Sequence, residues 1–133
     1  MDINELIAIA QQARGKSLAV YSNFHVGAAL LASSGKIYSG FNIESSSYGL
    51  TICAERVALF KALSEGERHF EKLSIVSDSS RLCPPCGACR QVLWDWARPL
   101  TIILANNRGE FKEIPLQILL PHAFEENYLK QID

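Results

Sequence analysis

The sequence lacks several features that would each point to a class of function. It has no apolar run approaching the roughly twenty residues that a membrane-spanning helix needs. It has no run of basic residues, and 13 Lys and Arg against 14 Asp and Glu leave a net charge of −1. Binding a phosphate backbone calls for a cationic surface, so a polynucleotide is not the expected ligand. Repeats, low-complexity tracts and linker-like segments are absent. The opening stretch MDINELIAIAQQARG is acidic early and has no long apolar core, unlike a secretory signal. These absences lead us to expect a cytoplasmic protein with neither membrane nor nucleic acid as partner. The 133 residues, 48% apolar and 20% charged, suit one globular domain over 1–133 that can bury a core.

Cysteine is scarce but clustered. One of the four lies in TICAERVALFKAL, residues 51–63, and the other three in CPPCGACRQ, residues 83–91. In a reducing compartment such clusters more often hold metal or do chemistry than form disulfides. The three histidines, His25, His69 and His122, are scattered, fit no metal spacing and read as surface or structural residues.

The hydrophobic pattern places these stretches on elements. Ile3, Leu6, Ile7 and Ala10 form one stripe of a first helix, which Gly15 ends. Val26 to Ala32 and the alternating Ile37, Ser39, Phe41 and Ile43 predict a hairpin across Ser33-Ser34-Gly35-Lys36. Thr51 is the expected N-cap of a second helix, with Ile52, Leu59, Phe60 and Leu63 at helical spacing and Gly66 as its stop. Leu73 to Ser77 predicts a third strand. A helix after Pro84-Pro85 should present Cys89, Val92, Leu93 and Trp96 on one face. Strands over 100–105 and 110–113 and a short helix from Pro115 complete the order. Helices flanking one five-stranded mixed sheet, a three-layer α/β/α fold, follow from that order.

The chemistry is expected where the two cysteine stretches meet. Cys86 and Cys89 are spaced i, i+3 at a helix start, so their sulfurs share a face. Cys53 falls at the start of its own helix. Helix N-termini favour the thiolate that a metal requires. Three thiolates on Zn²⁺ leave one tetrahedral position open, the pattern of catalytic zinc. There a coordinated water acquires a pKa near neutrality. Glu55, two residues after Cys53, can reach that water and move its protons. Three thiolates on Zn²⁺ also carry a net charge of −1, which weakens activation of water. Arg56 is the candidate cation to offset it by hydrogen bonding to sulfur, with Arg90 second.

The segments Cys53-Ala54-Glu55-Arg56 and Pro85-Cys86-Gly87-Ala88-Cys89-Arg90-Gln91 resemble the zinc motif of the cytidine deaminase family. Tyr21-Ser22-Asn23-Phe24-His25-Val26-Gly27-Ala28-Ala29-Leu30, Asn42-Ile43-Glu44 and Leu119-Leu120-Pro121 are similar to it too. The resemblance covers most of the chain and is best to the small, homotetrameric, three-cysteine branch. It implies one zinc per subunit on Cys53, Cys86 and Cys89. It also implies hydrolytic deamination of cytidine and 2′-deoxycytidine to uridine and 2′-deoxyuridine in pyrimidine salvage, with Glu55 as the proton carrier. It further implies that Phe24 lies against the pyrimidine, that Asn42 and Glu44 bind the ribose 3′-hydroxyl, and that the Ala54 backbone reads the base edge. Ser46 and Tyr48 near the 5′-hydroxyl, and Phe124 over the base, are implied to come from neighbouring subunits, which puts the active sites at subunit interfaces. Val20, Ser45 and Ser46 depart from the family's frequent residues, and Cys83 is an extra cysteine.

Three other readings compete. Cys53, Cys83, Cys86 and Cys89 together could close a structural zinc site, although Pro84-Pro85 favours extended chain at about 3.1 Å per residue and draws Cys83 away from Cys86. A deaminase for a nucleoside antibiotic such as blasticidin S would share the zinc motif but would not need the Asn42 and Glu44 pair. An inert zinc-binding or nucleic-acid-binding module would have no use for Glu55.

Overall fold

The computed structural model describes residues 1–130. The first helix, α1, spans Ile3–Arg14. Asp2 caps it, accepting from the Asn4 N–H at 3.2 Å, and Gly15 follows its last residue. Two strands, β1 (Val26–Ala32) and β2 (Ile37–Phe41), form the expected hairpin. A short 3₁₀ turn over Tyr48–Leu50, unforeseen in the loop, leads to α2 (Ala54–Ser64). There follow β3 (Phe70–Ser77), α3 (Gly87–Ala97), β4 (Thr101–Ala105), β5 (Phe111–Pro115), α4 (Leu116–Leu119) and α5 (Glu126–Lys130).

The strands lie in the order β2-β1-β3-β4-β5, antiparallel except for the parallel pair β3 and β4. This is the expected five-stranded mixed sheet. Because side chains alternate across a strand, β1 supplies both faces. Ala28 and Leu30 point to the side of α2 and α3, where they meet Leu59, Leu73, Leu93 and Ile102. Ala29 and Leu31 point to the side of α1, against Leu6, Ile7 and Ala10. Helices therefore cover both faces, giving three layers.

Two glycines let the helices sit close. A Cβ on Gly27 would stand 1.9 Å from the Ala10 carbonyl oxygen of α1, and one on Gly40 would stand 2.5 Å from the Ala54 carbonyl oxygen of α2. Gly40 in β2 thus sets how near the first turn of α2 approaches the sheet, and that turn carries the candidate chemistry.

Two helix starts and faces differ from expectation. Thr51 does not cap α2; its Oγ1 accepts from the Ser45 N–H at 3.1 Å, and Cys53 holds the N-cap position. The buried stripe of α2 is Glu55, Ala58, Leu59 and Ala62 at i, i+3, i+4, i+7, while Phe60 faces outward. On α3 the buried stripe is Cys89, Leu93 and Ala97, and Trp96 is exposed. In both cases small alanines take the buried positions and the larger aromatic turns out, because the close helix–sheet approach leaves little room.

Candidate active site

The N-cap residues of α2 and α3 are both cysteines, Cys53 and Cys86, and neither side chain caps a backbone N–H of its own helix. An N-cap residue ordinarily offers an oxygen to the free N–H groups of the first turn. Here the sulfurs point toward each other instead, 3.8 Å apart. Cys89, buried in the first turn of α3, completes a group whose three sulfurs all lie within 4.8 Å of one another. Tetrahedral coordination at the usual Zn–S length of about 2.3 Å puts sulfurs about 3.8 Å apart, so the donor set fits zinc in type and spacing. Cys83 is not in the group; its thiol faces the Pro84 carbonyl.

The charges around the sulfurs favour metal uptake. The Cys53 thiol is brought down from its ordinary 9.0 to about 5, chiefly by a hydrogen bond from Cys89 and also by Arg56, against the opposing effect of burial. Cys89 is pushed the other way, because it donates to Cys53 and is buried. A cation that binds all three sulfurs must displace the protons they carry. The Arg56 Nη2 donates to Cys53 Sγ at 3.5 Å, and the sulfur contacts hold its guanidinium firmly charged. Arg90 turns elsewhere: its Nε donates to the Pro85 carbonyl and its Nη1 to the Leu119 carbonyl, both at 2.8 Å. It braces the loop ahead of Cys86, and Arg56 is the guanidinium that contacts a sulfur.

Glu55 is only 4% exposed, an uncommon fate for a carboxylate. Burial, and then the negative charge on Cys53, raise its pKa from 4.5 to about 7. It lines a cavity of about 210 Å³ together with Phe24, Asn42, Cys53, Cys83 and Cys86, with the Ala54 backbone at the wall. A titratable carboxylate poised near neutrality beside a candidate metal-ligating cluster can accept and return a proton.

A second cleft, of about 330 Å³, meets the first at Thr51 and is lined by Tyr21, Ser22, Glu44 and Tyr48. Asn42 and Glu44 stand between the two. The Asn42 Nδ2 donates to the Phe24 carbonyl at 2.8 Å, and its Oδ1 accepts from the Val26 N–H at 3.0 Å and from the Ser17 hydroxyl. Glu44 Oε1 accepts from the Tyr21 and Ser22 N–H groups at 2.8 and 2.9 Å, and Oε2 from the Ser22 hydroxyl. These bonds lower the Glu44 pKa, the Ser22 hydroxyl foremost. After them, Asn42, lining the first cleft, keeps one N–H, and Glu44, lining the second, keeps one lone pair on Oε2.

Ser46, Tyr48 and Phe124, expected near the substrate, lie away from the 210 Å³ cavity within one chain. Ser46 is exposed on the loop before the 3₁₀ turn. Tyr48, 74% exposed, lies 6.0 Å from Tyr21, centroid to centroid. Phe124, 53% exposed, stacks on Tyr128 at 5.7 Å, and its carbonyl accepts from Gln91 Nε2 at 2.9 Å. Sequence reasoning passed over Asp78, which accepts from the His25 backbone N–H at 2.8 Å and stands 2.7 Å from His25 Nδ1. The signal was the position of His25 beside Phe24, and it needed a partner that only the fold supplies.

Comparison with known proteins agrees with this geometry. Residues 1–105 match the family model described as the cytidine and deoxycytidylate deaminase zinc-binding region. The chain is 46% identical over 130 residues to the cytidine deaminase of Sporosarcina psychrophila, covering 97% of this chain and 96% of that one. It is 50% identical over 125 residues to the cytidine deaminase of Halalkalibacterium halodurans, covering 93% and 95%. Among solved structures, the cytidine deaminase of Burkholderia pseudomallei superposes with a TM-score of 0.90 at 45% identity, covering 93% of this chain and all of that one.

Proposed function

The chain belongs to the cytidine deaminase family, and we propose how its residues carry out the zinc-dependent hydrolysis of cytidine to uridine and ammonia. The observation that carries the reading is the buried Glu55 carboxylate in one small cavity with Cys53 and Cys86, whose sulfurs converge with that of Cys89. When bound by Cys53, Cys86 and Cys89, zinc supplies a Lewis acid that makes water a usable nucleophile near neutral pH.

Every other part of the work falls to side chains. Glu55 takes a proton from the attacking water and delivers it to the ring nitrogen beside the reacting carbon; it then takes the second proton of the same oxygen and delivers it to the amino group, which leaves as ammonia as the C–N bond breaks and the carbonyl forms. Its elevated pKa suits a group that must both accept and donate near pH 7. Arg56 holds the Cys53 sulfur and offsets the negative charge of the thiolates. Phe24 forms the wall against the pyrimidine, and the Ala54 backbone reads its edge. The free N–H of Asn42 and the free lone pair of Glu44 bind the 3′-hydroxyl, which both cytidine and 2′-deoxycytidine carry. A carboxylate there disfavours a 3′-phosphate, which argues against a polynucleotide substrate. The place of such an enzyme is pyrimidine salvage. Cys53, Cys83, Cys86 and Cys89 are all free thiols, which supports a cytoplasmic setting, and no helix among the described residues is long and apolar enough to cross a membrane.

Residues 1–133 form one domain in this reading, and four chains assemble. Tyr48, Leu50, Phe124 and Leu129 leave more than half of their surface exposed in one chain, which supports their covering by neighbours. Ser46 and Tyr48 then approach the 5′-hydroxyl and Phe124 covers the base of an adjoining subunit. Sedimentation at micromolar concentration should show a tetramer; a fully active monomer would remove these three residues from the site. The reaction itself is tested by following the ultraviolet band of cytidine with zinc-loaded protein.

A further inference from the structure

Phe24 lies on a short connecting segment, residues 21–25, that belongs to no regular element. Such a segment positions an aromatic wall only if something fixes it. Its first half is fixed by Glu44, through the Tyr21 and Ser22 N–H groups, and its carbonyl at Phe24 by Asn42. Both of those residues already have work in the sugar site. The Phe24 N–H donates to the Ser22 hydroxyl at 3.0 Å, and the next N–H, that of His25, is held by a residue with no work in the sugar site.

That residue is Asp78, directly after β3. One carboxylate oxygen, Oδ2, receives the His25 backbone N–H at 2.8 Å and lies 2.7 Å from the ring Nδ1 of the same histidine. The anchor is itself immobilised. The Asn107 Nδ2 donates to the Asp78 carbonyl at 3.0 Å, and Arg14 Nη1 donates to the carbonyl of its neighbour, the buried Ser77, at 2.8 Å. Asn23 makes the bend with φ of 58°, a conformation asparagine adopts more readily than most residues, and its N–H donates to the Ala19 carbonyl at 3.0 Å. The peptide between Phe24 and His25 is then held on both sides, its carbonyl by Asn42 and its N–H by Asp78. Release of the His25 N–H leaves that peptide held through its carbonyl alone and loosens the setting of Phe24 at the cavity.

We propose that Asp78, acting through His25, is a positioning residue for the deaminase reaction: it holds Phe24 in place as the wall of the pyrimidine pocket. The proposal rests on the reading of Phe24 as that wall. Phe24 contacts the base in the bound substrate and in the transition state alike, so its displacement weakens both equally. The loss then shows in KM and not in kcat. Asp78 touches neither the metal ligands nor Glu55 in this account, so zinc content is unaffected.

The test is a double-mutant cycle on cytidine turnover. Asp78→Ala should raise KM about tenfold, the scale of a lost charge-assisted hydrogen bond, with kcat within about twofold and zinc retained. Asp78→Asn keeps an oxygen acceptor for the His25 N–H and should recover most of that loss. Phe24→Ala should raise KM by itself, and in that background Asp78→Ala should add less than about twofold, because the wall it positions is gone. His25→Ala changes only the half-exposed ring contact, folds whatever the fate of Asp78→Ala, and should raise KM about threefold with the same dependence on Phe24. An unchanged KM in Asp78→Ala and His25→Ala, or an equal effect with and without Phe24, would overturn the proposal. A Phe24→Ala variant with unchanged KM would instead remove Phe24 from the pocket, so the two failures are told apart.

Discussion

Cys53 and Cys86 cap two different helices, α2 and α3, and stand 3.8 Å apart, sulfur to sulfur. Each helix start contributes a free partial positive charge and a side chain that caps no backbone N–H of that helix. Convergence of two such ends is a way to concentrate thiolates that would otherwise repel. Cys89 joins them from inside α3, and Cys83 does not.

That separation gives a prediction on ligand count. Cys83→Ser should bind zinc with unchanged stoichiometry, and Cys86→Ser should lose it. Atomic absorption of the purified variants decides the matter. Loss of zinc in Cys83→Ser would revive a closed four-cysteine site.

Arg56 gives a prediction with a sign. The Cys53 thiol is depressed from 9.0 to about 5 by the Cys89 hydrogen bond first and by Arg56 after it. A depressed thiol pKa keeps the ligand ionised above it and lets it protonate as pH falls through it. Removing Arg56 moves that pKa up, so zinc should be lost earlier on acidification. In Arg56→Ala the midpoint of zinc release to a chelator should rise by about one pH unit, with the fold intact by circular dichroism. An unshifted midpoint would make Arg56 an ordinary arginine.

Much of this was legible in the sequence, and for physical reasons. Cysteine spacing is a local property, and Cys53, Glu55, Cys86 and Cys89 needed only the helix period to be placed. The sheet was legible because β1 and β2 are short, apolar and joined by a four-residue turn. The N-cap of α2 was misplaced at Thr51 because its hydroxyl serves the Ser45 N–H, a contact across a loop. The outward turn of Phe60 was hidden because Ala54, Ala58 and Ala62 meet the sheet at a closeness that Gly40 permits. Asp78 was invisible because its partner His25 is 53 residues away in the chain.

Gly40 itself is testable. A Cβ there would lie 2.5 Å from the Ala54 carbonyl oxygen and 2.6 Å from the Ala58 nitrogen, both backbone atoms that cannot swing aside. Gly40→Ala should push the first turn of α2 away from β2. The expected cost is about 1–3 kcal/mol in denaturant unfolding, together with weakened zinc affinity, because Cys53 and Glu55 move with the turn. Wild-type stability and zinc affinity in Gly40→Ala would show that the approach is looser than described.

The central claim is that Glu55 moves protons for cytidine hydrolysis and does not hold the metal. The direct measurement is the ultraviolet band of cytidine with zinc-loaded protein, run beside Glu55→Gln with zinc assayed in both. The account predicts loss of the cytidine band with the wild type, full zinc in both proteins, and a rate lower by about 10²–10⁴-fold or more in Glu55→Gln. Rapid loss of cytidine with Glu55→Gln, or loss of zinc from it, would contradict the account.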